Sequence, residues 1–442
     1  MAVLNWINTV CGIISAVLSV IIAYRIVYMV IGFFAKEKKF PDAKLQHSYG
    51  IIISARNESM VIGNLLDSIS AQNYDMSRVK VFVVADNCSD NTAEVCRAKG
   101  AIVYERNDPT RARKGYALEF LFKNISKDYG IESLDGYLFF DADNLLHPDF
   151  LAEINKAFDT GTDVAVGYRS TKNFSTNFIS ASYGIHFCRS SMSYHRPRCR
   201  LGLPTHIAGT GYVMKSDLLK NGWHFTSLTE DTQFTLSSIS KGIHIEFCEA
   251  AEFFDEQPYQ LKVMVRQRLR WAKGRLFCFF RHVGGLVKGI FIKPKAPGGK
   301  RFACYDMFGY ALPSGLISAV ISFISIVTAL IAAVISKTSS VGTSLGMLSG
   351  VLWALAGAYG GFVVMGLLTV IRERKHIICP TCKLVLYALL FPIFDLLDVP
   401  IGVASLFMRI KWKPIKHDQA IKIDELVENR NSKFQEENAQ KS

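Results

Sequence analysis

The chain has 442 residues, half of them apolar, and 51 Lys and Arg against 38 Asp and Glu give it a formal charge of +13. That length allows two or three structural units, and the charge does not mark a nucleic-acid binder, because no long Lys/Arg block with interleaved aromatics occurs. The basic residues instead flank apolar runs, as in Lys36-Glu37-Lys38-Lys39, Arg372-Glu373-Arg374-Lys375 and Arg409 to Lys416, where they set orientation across a bilayer and meet anionic headgroups.

Residues 1–40 read as a membrane anchor. The apolar run from Leu4 to Phe34 exceeds the roughly 20 residues that cross a bilayer. It has no small-residue cleavage site, and basic residues follow it at once, which places its C-terminal end in the cytoplasm. Residues 45–285 read as a soluble unit that alternates strand and helix. Gly50 to Ser54, Lys80 to Ala85, Ala101 to Tyr104, Tyr137 to Phe140 and Val164 to Gly167 are short apolar runs expected as strands. Val61 to Ser70, Thr92 to Lys99 and Gly115 to Ile125 have helical spacing between them. The alternation predicts an α/β fold with a parallel sheet covered by helices on both faces. Such sheets bind ligands at the carboxyl ends of their strands. The polar clusters Ser54 to Glu58, Asp86 to Asp90 and Asp141 to Asn144 all fall there, as a nucleotide cleft requires.

An interfacial linker, 286–306, leads to two membrane helices within 307–371, from about Met307 to Ile335 and from about Leu348 to Ile371. The loop Lys337 to Thr343 carries one charge and suits the outer face. The last apolar stretch, Leu384 to Met408, is interrupted by Pro392, Asp395, Asp398 and Pro400. Carboxylates are costly in lipid, so a broken or re-entrant pair of half-helices is expected beside the alternative of a simple span. The tail, 417–442, is polar and expected to be mobile. Ten cysteines show no framework spacing, and Cys379-Pro380-Thr381-Cys382 lacks a second ligand pair for zinc, so free thiols in a reducing compartment are expected.

Three constellations carry chemistry. Asp141-Ala142-Asp143 puts two carboxylates around one small residue at a strand end, able to hold a divalent cation against phosphates; the alternative is an ordinary aspartate turn. In Thr229-Glu230-Asp231, Asp231 suits a general base for an acceptor hydroxyl; the alternative is a helix N-cap. In Gln267-Arg268-Leu269-Arg270-Trp271, the first, fourth and fifth residues share one helix face. Arg270 suits a diphosphate and Trp271 offers a wall for a sugar ring; the alternative is an interfacial helix. Asp86 suits the N3–H of a uracil or is simply a turn residue, Lys114 suits phosphates or belongs to a solvated basic turn, and Gly209-Thr210-Gly211 reads as a tight loop near the acceptor or simply a turn.

The ordered series Asp86, Asp141-Ala142-Asp143, Thr229-Glu230-Asp231 and Gln267-Arg268-Leu269-Arg270-Trp271 resembles the D, DxD, TED, QxxRW pattern of the family 2 membrane glycosyltransferases. That family includes cellulose, hyaluronan and poly-N-acetylglucosamine synthases. The resemblance covers about Tyr49 to Lys273. It implies a GT-A (Rossmann-like) cytoplasmic domain with flanking transmembrane helices, in the plasma membrane. The donor would be a UDP-sugar and the metal Mg²⁺ or Mn²⁺, with an inverting displacement. Asp231 would be the base, Asp143 and Asp141 would hold the metal, and Ser54, Arg56, Glu58, Asp86, Lys114, Asp141 and Arg270 would hold the nucleotide sugar. Glu230, Gln267 and Trp271 would meet the acceptor, a carbohydrate or a lipid-linked molecule. The sequence departs from the pattern where Ala85-Asp86 replaces two successive aspartates, and it has fewer spans than the well-known synthases. A processive polysaccharide synthase, with or without accessory subunits, single-sugar transfer to a lipid carrier, and a non-catalytic membrane scaffold are the readings in competition.

Overall fold

The computed structural model describes residues 2–335, 341–410, 413–415 and 417–439. The expected outer loop falls outside these residues up to 340, as do residues 411, 412 and 416 of the basic segment and the last three of the tail. The centre of the molecule is an eight-stranded sheet in the order β3-β2-β1-β4-β7-β6-β8-β5. Its strands are β1 (Tyr49–Ala55), β2 (Val79–Asp86), β3 (Ile102–Arg106), β4 (Gly136–Asp141), β5 (Leu145–Leu146), β6 (Val164–Thr171), β7 (Tyr212–Lys215) and β8 (Ile245–Asp255). The continuous apolar runs of β1 and β4 are buried on both faces. One face packs Ile52, Phe82, Phe122, Phe139, Tyr212 and Trp223 together, and the other packs Ile51, Ile53, Leu65, Leu138, Phe150 and Phe253.

The sheet is mixed, not wholly parallel as the alternation of elements suggested. β7 runs antiparallel to both β4 and β6, and β5 runs antiparallel to β8. The reason lies in the connection between β6 and β7, which are hydrogen-bonded antiparallel neighbours. A chain joining such neighbours leaves and re-enters the sheet at the same end. The helices Phe178–Ser190 and Arg196–Arg200, with a π-helical turn at Ser191–His195 between them, therefore sit beyond the carboxyl end of β6. That is the end at which an open α/β sheet binds its ligands.

Four helical segments among the described residues are long and apolar enough to cross a membrane: Ala2–Phe34, Ser314–Ala332, Leu355–Arg372 and Thr381–Phe407. The first breaks at Ala23 into Ala2–Ile22 and Tyr24–Phe34. The run from Met307 is also divided, into Arg301–Ala311 and Ser314–Ile335, where Pro313 cannot donate to the helical ladder. The last segment consists of Thr381–Leu396 and Asp398–Phe407. Its acids are paired: Asp395 with Arg189, and Asp398 with Arg268, from whose Nε it accepts at 2.9 Å.

The tail is not free. A helix spans Ile423–Ala439, and Ile423 and Leu426 pack on Leu145 and Phe254. Arg430 Nη1 donates to Glu252 at 2.6 Å, and Lys172 Nζ donates to the Gln419 carbonyl at 3.0 Å. Three apolar residues, Ile423, Leu426 and Val427, with a few fixed polar partners dock a helix whose composition alone reads as solvated.

Candidate active site

The donor side is built from strand ends. In the β1–β4 register Ser54 lies opposite Asp141, and in the β1–β2 register Ala55 lies opposite Ala85, so Ser54, Asp86 and Asp141 end on one rim. The turns beyond β1 and β2 each contain an asparagine with positive φ, Asn57 (57°) and Asn87 (54°), a conformation that asparagine tolerates better than most residues. Asn57 Oδ1 accepts from the Ser89 backbone at 2.7 Å and ties the two turns together. Asp86 is buried and paired with Arg106, and Asn87 Nδ2 also donates to it at 2.9 Å.

Lys114, the first residue of the helix Lys114–Asp128, makes an ion pair with Asp141 and donates to the Gly209 carbonyl at 2.8 Å. Burial disfavours charge on Asp141, yet the Lys114 ammonium holds its carboxyl below the usual range. The Gly209-Thr210-Gly211 loop adjoins this rim rather than hanging free. Thr210 Oγ1 accepts from the Asp141 backbone at 3.0 Å. Gly211 has φ +68°, and a Cβ there would lie 1.9 Å from the Phe253 ring, so the close approach requires glycine. Burial pushes the Asp143 carboxyl up, against the influence of His417 and Lys172, and its Oδ2 accepts from the Glu256 backbone at 3.1 Å.

Further charged residues complete this side without having been singled out in the sequence. Asp255, the last residue of β8, and Glu256 and Gln257 just beyond it line the same cavity. Burial pushes Asp255 up to about 6, although Arg169 Nε donates to it at 2.9 Å. Glu256 pairs with Lys172 at 3.0 Å. His417 enters from the tail, with Nδ1 3.1 Å from Glu58 and Nε2 3.8 Å from Asp143. Burial opposes a charge on this imidazole, but Asp143 and Glu58 hold it up to about 10. The polar cluster at a strand terminus was a usable sequence signal for Asp255 to Gln257, as it was for the other three strands. Nothing in the local sequence around His417 points to the cavity.

On the other side, the helix Glu230–Lys241 begins at Glu230 and Asp231. Thr229 occupies its N-cap position without a side-chain capping bond and contacts Cys278 instead. Asp231 Oδ1 accepts from the Thr232 backbone at 2.6 Å. Burial raises the Asp231 carboxyl above the usual range, with that N–H and Arg270 opposing. Burial and then the adjacent Asp231 push Glu230 up to about 7.

The helix Leu261–Phe291 carries Gln267, Arg270 and Trp271 past this turn. A Cβ at Gly274 would lie 2.5 Å from Thr229, so glycine allows the helix to press against the acidic turn. Arg270 Nη1 donates to the Leu228 carbonyl at 3.0 Å. Trp271 meets Tyr183 and Phe187 edge-on, at ring-centroid distances of 5.9 and 6.4 Å. Gln267 Oε1 is buried with no hydrogen-bond partner among the described residues. Arg268 belongs elsewhere: it donates to Asp398 and, at 2.6 Å, to the Phe394 carbonyl, and so joins this helix to the broken membrane segment.

All of these sides face one cavity of about 320 Å³. Ser54, Arg56, Glu58, Asp86, Lys114, Asp141 and Asp143 line it, and so do Glu230, Asp231, Gln267, Arg270 and Trp271. Ser54 and Trp271, 217 positions apart in sequence, thus share one cavity.

An open α/β sheet of this order, with acidic strand ends facing a helix-borne arginine and tryptophan, is the GT-A type of glycosyltransferase fold. Residues 47–274 match the family described as "Glycosyltransferase like family 2", and the chain belongs to it. It is 25% identical over 252 residues to "Probable glycosyltransferase YdaM" of Bacillus subtilis strain 168, covering 54% of this chain and 57% of that protein. It is 24% identical over 266 residues to a poly-β-1,6-N-acetyl-D-glucosamine synthase of Staphylococcus aureus strain COL, covering 57% and 62%. The chain thus spans less than two thirds of the length of these curated relatives. Its fold is similar to that of the mannosyltransferase PcManGT of Pyrobaculum calidifontis, solved with GDP-mannose and Mn²⁺: the TM-score is 0.55 at 15% identity, over 84% of this chain and 98% of that one.

Proposed function

We propose that this protein is a membrane-bound inverting glycosyltransferase that moves a sugar from a UDP-sugar to a hydroxyl of a growing β-linked polysaccharide, on the cytoplasmic side of the plasma membrane. The observation that carries the reading is the single cavity that joins Asp141 and Asp143 to Asp231, Arg270 and Trp271. Ser54, Arg56, Glu58 and Asp86 hold the nucleoside, with Asp86 facing the uracil. Arg270 faces the diphosphate, because its fork of donors matches phosphate oxygens.

A divalent cation, Mg²⁺ or Mn²⁺, fits the donor side. Glu58, Asp141, Asp143, Asp255 and Glu256 all line it, and hard cations take oxygen ligands. The same carboxylates already draw the His417 ring in from the tail. Asp141 and Asp143 would hold the ion, which supplies charge neutralisation for the departing diphosphate. PcManGT, the structural neighbour solved with Mn²⁺, is consistent with this assignment.

Asp231 takes the proton from the acceptor hydroxyl as its oxygen bonds to the anomeric carbon. The bond from that carbon to the diphosphate oxygen breaks, and UDP leaves with the electron pair. A base raised by burial is better matched to this task than a free carboxylate. Glu230 and Gln267 orient the acceptor, and Trp271 gives its ring a flat wall. A second reading, transfer of one sugar to a lipid carrier, is favoured by the contact of the Leu261–Phe291 helix with the broken membrane segment through Arg268. The test is to incubate the full chain with a panel of UDP-sugars and Mg²⁺ or Mn²⁺, following UDP release and product size. Long products support the first reading and single additions the second. Absence of UDP release from every donor with either metal overturns both.

A further inference from the structure

The cavity also has a part, a chamber, lined by His186, Ser190, His206, Arg275 and Tyr310. The transfer chemistry above uses none of them. The chamber lies against the helical connection between β6 and β7 and against the helix Arg301–Ala311, which leads into a membrane segment.

Its hydrogen-bonding character follows from two arginines. Arg189 Nη2 lies 3.2 Å from His186 Nδ1, and Arg198 Nη1 lies 3.2 Å from His206 Nδ1. A guanidinium can only donate, so each Nδ1 must accept, and each ring carries its proton on Nε2. Both imidazoles are thereby fixed as neutral N–H donors, that of His206 facing Ser190 Oγ at 3.5 Å. Burial, with the neighbouring charges, likewise keeps both well below the ordinary histidine range. The orientation of His206 is further set by stacking between His195 and Tyr310, at centroid distances of 4.3 and 4.5 Å. His186 Nε2 has no hydrogen bond among the described residues.

The charges in the surrounding shell are not equivalent. Arg198 is neutralised by Asp306 at 2.7 Å, and Arg189 by Asp395. Arg275, exposed on the Leu261–Phe291 helix one turn beyond Trp271, has no acidic partner within 4 Å among the described residues. Every carboxylate that lines the cavity belongs to the donor side or to Glu230 and Asp231. The chamber therefore offers N–H and hydroxyl donors and an uncompensated cation, and lacks the carboxylates that would accept from sugar hydroxyls. A lining rich in donors fits oxygens that carry no proton.

We propose that this chamber is a subsite for an anionic group, a phosphate or carboxylate, that the acceptor carries beside the hydroxyl receiving the sugar. The inference rests on the glycosyl-transfer reading. It narrows the acceptor to an acidic one, soluble or lipid-borne.

The experiment uses the full chain in nanodiscs, with UDP affinity measured throughout. In the soluble arm, glycerol 3-phosphate is compared with glycerol for binding in the presence of UDP. In the lipid arm, nanodiscs containing phosphatidylglycerol are compared with phosphatidylcholine alone for UDP release from a UDP-sugar. The expected result is a preference of about tenfold for the anionic probe in at least one arm, which also identifies the source. Arg275→Gln, an exposed position, and Tyr310→Phe should each diminish that preference, Arg275→Gln to below about twofold, while the UDP dissociation constant changes by less than about twofold. Equal behaviour of anionic and neutral probes in both arms overturns the proposal, and so does an undiminished preference in Arg275→Gln. If UDP binds and is released from its sugar but no preference exists, only the chamber assignment fails. If UDP itself does not bind, the glycosyl-transfer reading fails with it.

Discussion

The two ends of the cavity differ in the sign of what they lack. The donor end gathers Glu58, Asp141, Asp143, Asp255 and Glu256 and fills its need for positive charge with Lys114, Arg169, Lys172 and His417. The acceptor end presents Arg275 with no acidic partner within 4 Å among the described residues, and neutral imidazoles behind it. Between the two stand Glu230 and Asp231, buried carboxylates whose charge is disfavoured. A carboxyl that is hard to ionise is poised to take up a proton, and its position at the boundary between a cationic and an anionic region is where a proton must leave an attacking hydroxyl. The contrast teaches that the chemistry depends on division of charge within one space, and substitutions can test each part separately.

Asp231→Asn should have the largest effect. Turnover should fall by about 10²–10⁴-fold, the usual worth of a general base, with UDP affinity unchanged. Initial rates and UDP titration read the two quantities independently, and wild-type turnover in this variant would remove the base from the boundary. Asp143→Asn attacks the donor end: the stimulation of UDP binding by Mg²⁺ or Mn²⁺ should drop by about tenfold or more, since a cation loses an ionised ligand. Unaltered metal dependence, measured by calorimetry, would erase the assigned division. Trp271→Ala should raise the acceptor KM by about tenfold with smaller change in the donor KM, because only the acceptor rests on the indole. Equal changes in both would show that the two ends are not separable.

The smallest effect concerns stability. Unfolded, the Glu230 carboxyl loses its proton near 4.5, whereas in the folded chain it does so at about 7. Between these values the folded state holds the extra proton, so the contribution to stability is full below pH 4.5 and is lost as pH rises through 7. Glu230→Gln keeps a neutral side chain at every pH. It should equal the parent near pH 4 and exceed it by about 1–3 kcal/mol at pH 8. Thermal unfolding at the two pH values checks this, and an unchanged difference would show that the boundary carboxyl is not strained by burial.

Much of the fold could be read from the sequence because hydrophobic runs at strand length mark β1, β2, β3, β4 and β6 directly. The three strands that escaped notice have physical reasons. β5 has two residues and β7 four, too few to show a period. β8 carries Glu246, Glu249 and Glu252 at intervals of three, a spacing that imitates a helix face. All three acids are buried and paired, with Lys38, Arg196 and Arg430, so their cost is offset by partners remote in sequence. The site divides the same way. Asp86, Asp141, Asp143 and Asp231 stand in motifs whose order is recognisable. Arg270 and Trp271 share a helix face that periodicity reveals. His417, Arg275 and His206 acquire their surroundings only from tertiary packing: the docked tail, the helix that passes Thr229, and a connection that folds back over the strand ends. Asp395 and Asp398 were noticed as costly in an apolar run, and their partners, Arg189 and Arg268, came from two other helices.

The most direct measurement is a structure of the full chain in a lipid nanodisc with UDP and Mn²⁺. The account predicts that the uracil lies at Asp86, with the metal-bound diphosphate between Asp143 and Arg270 and Asp231 open toward Trp271. A nucleotide bound outside this cavity, or a diphosphate remote from both Asp143 and Arg270, would contradict it.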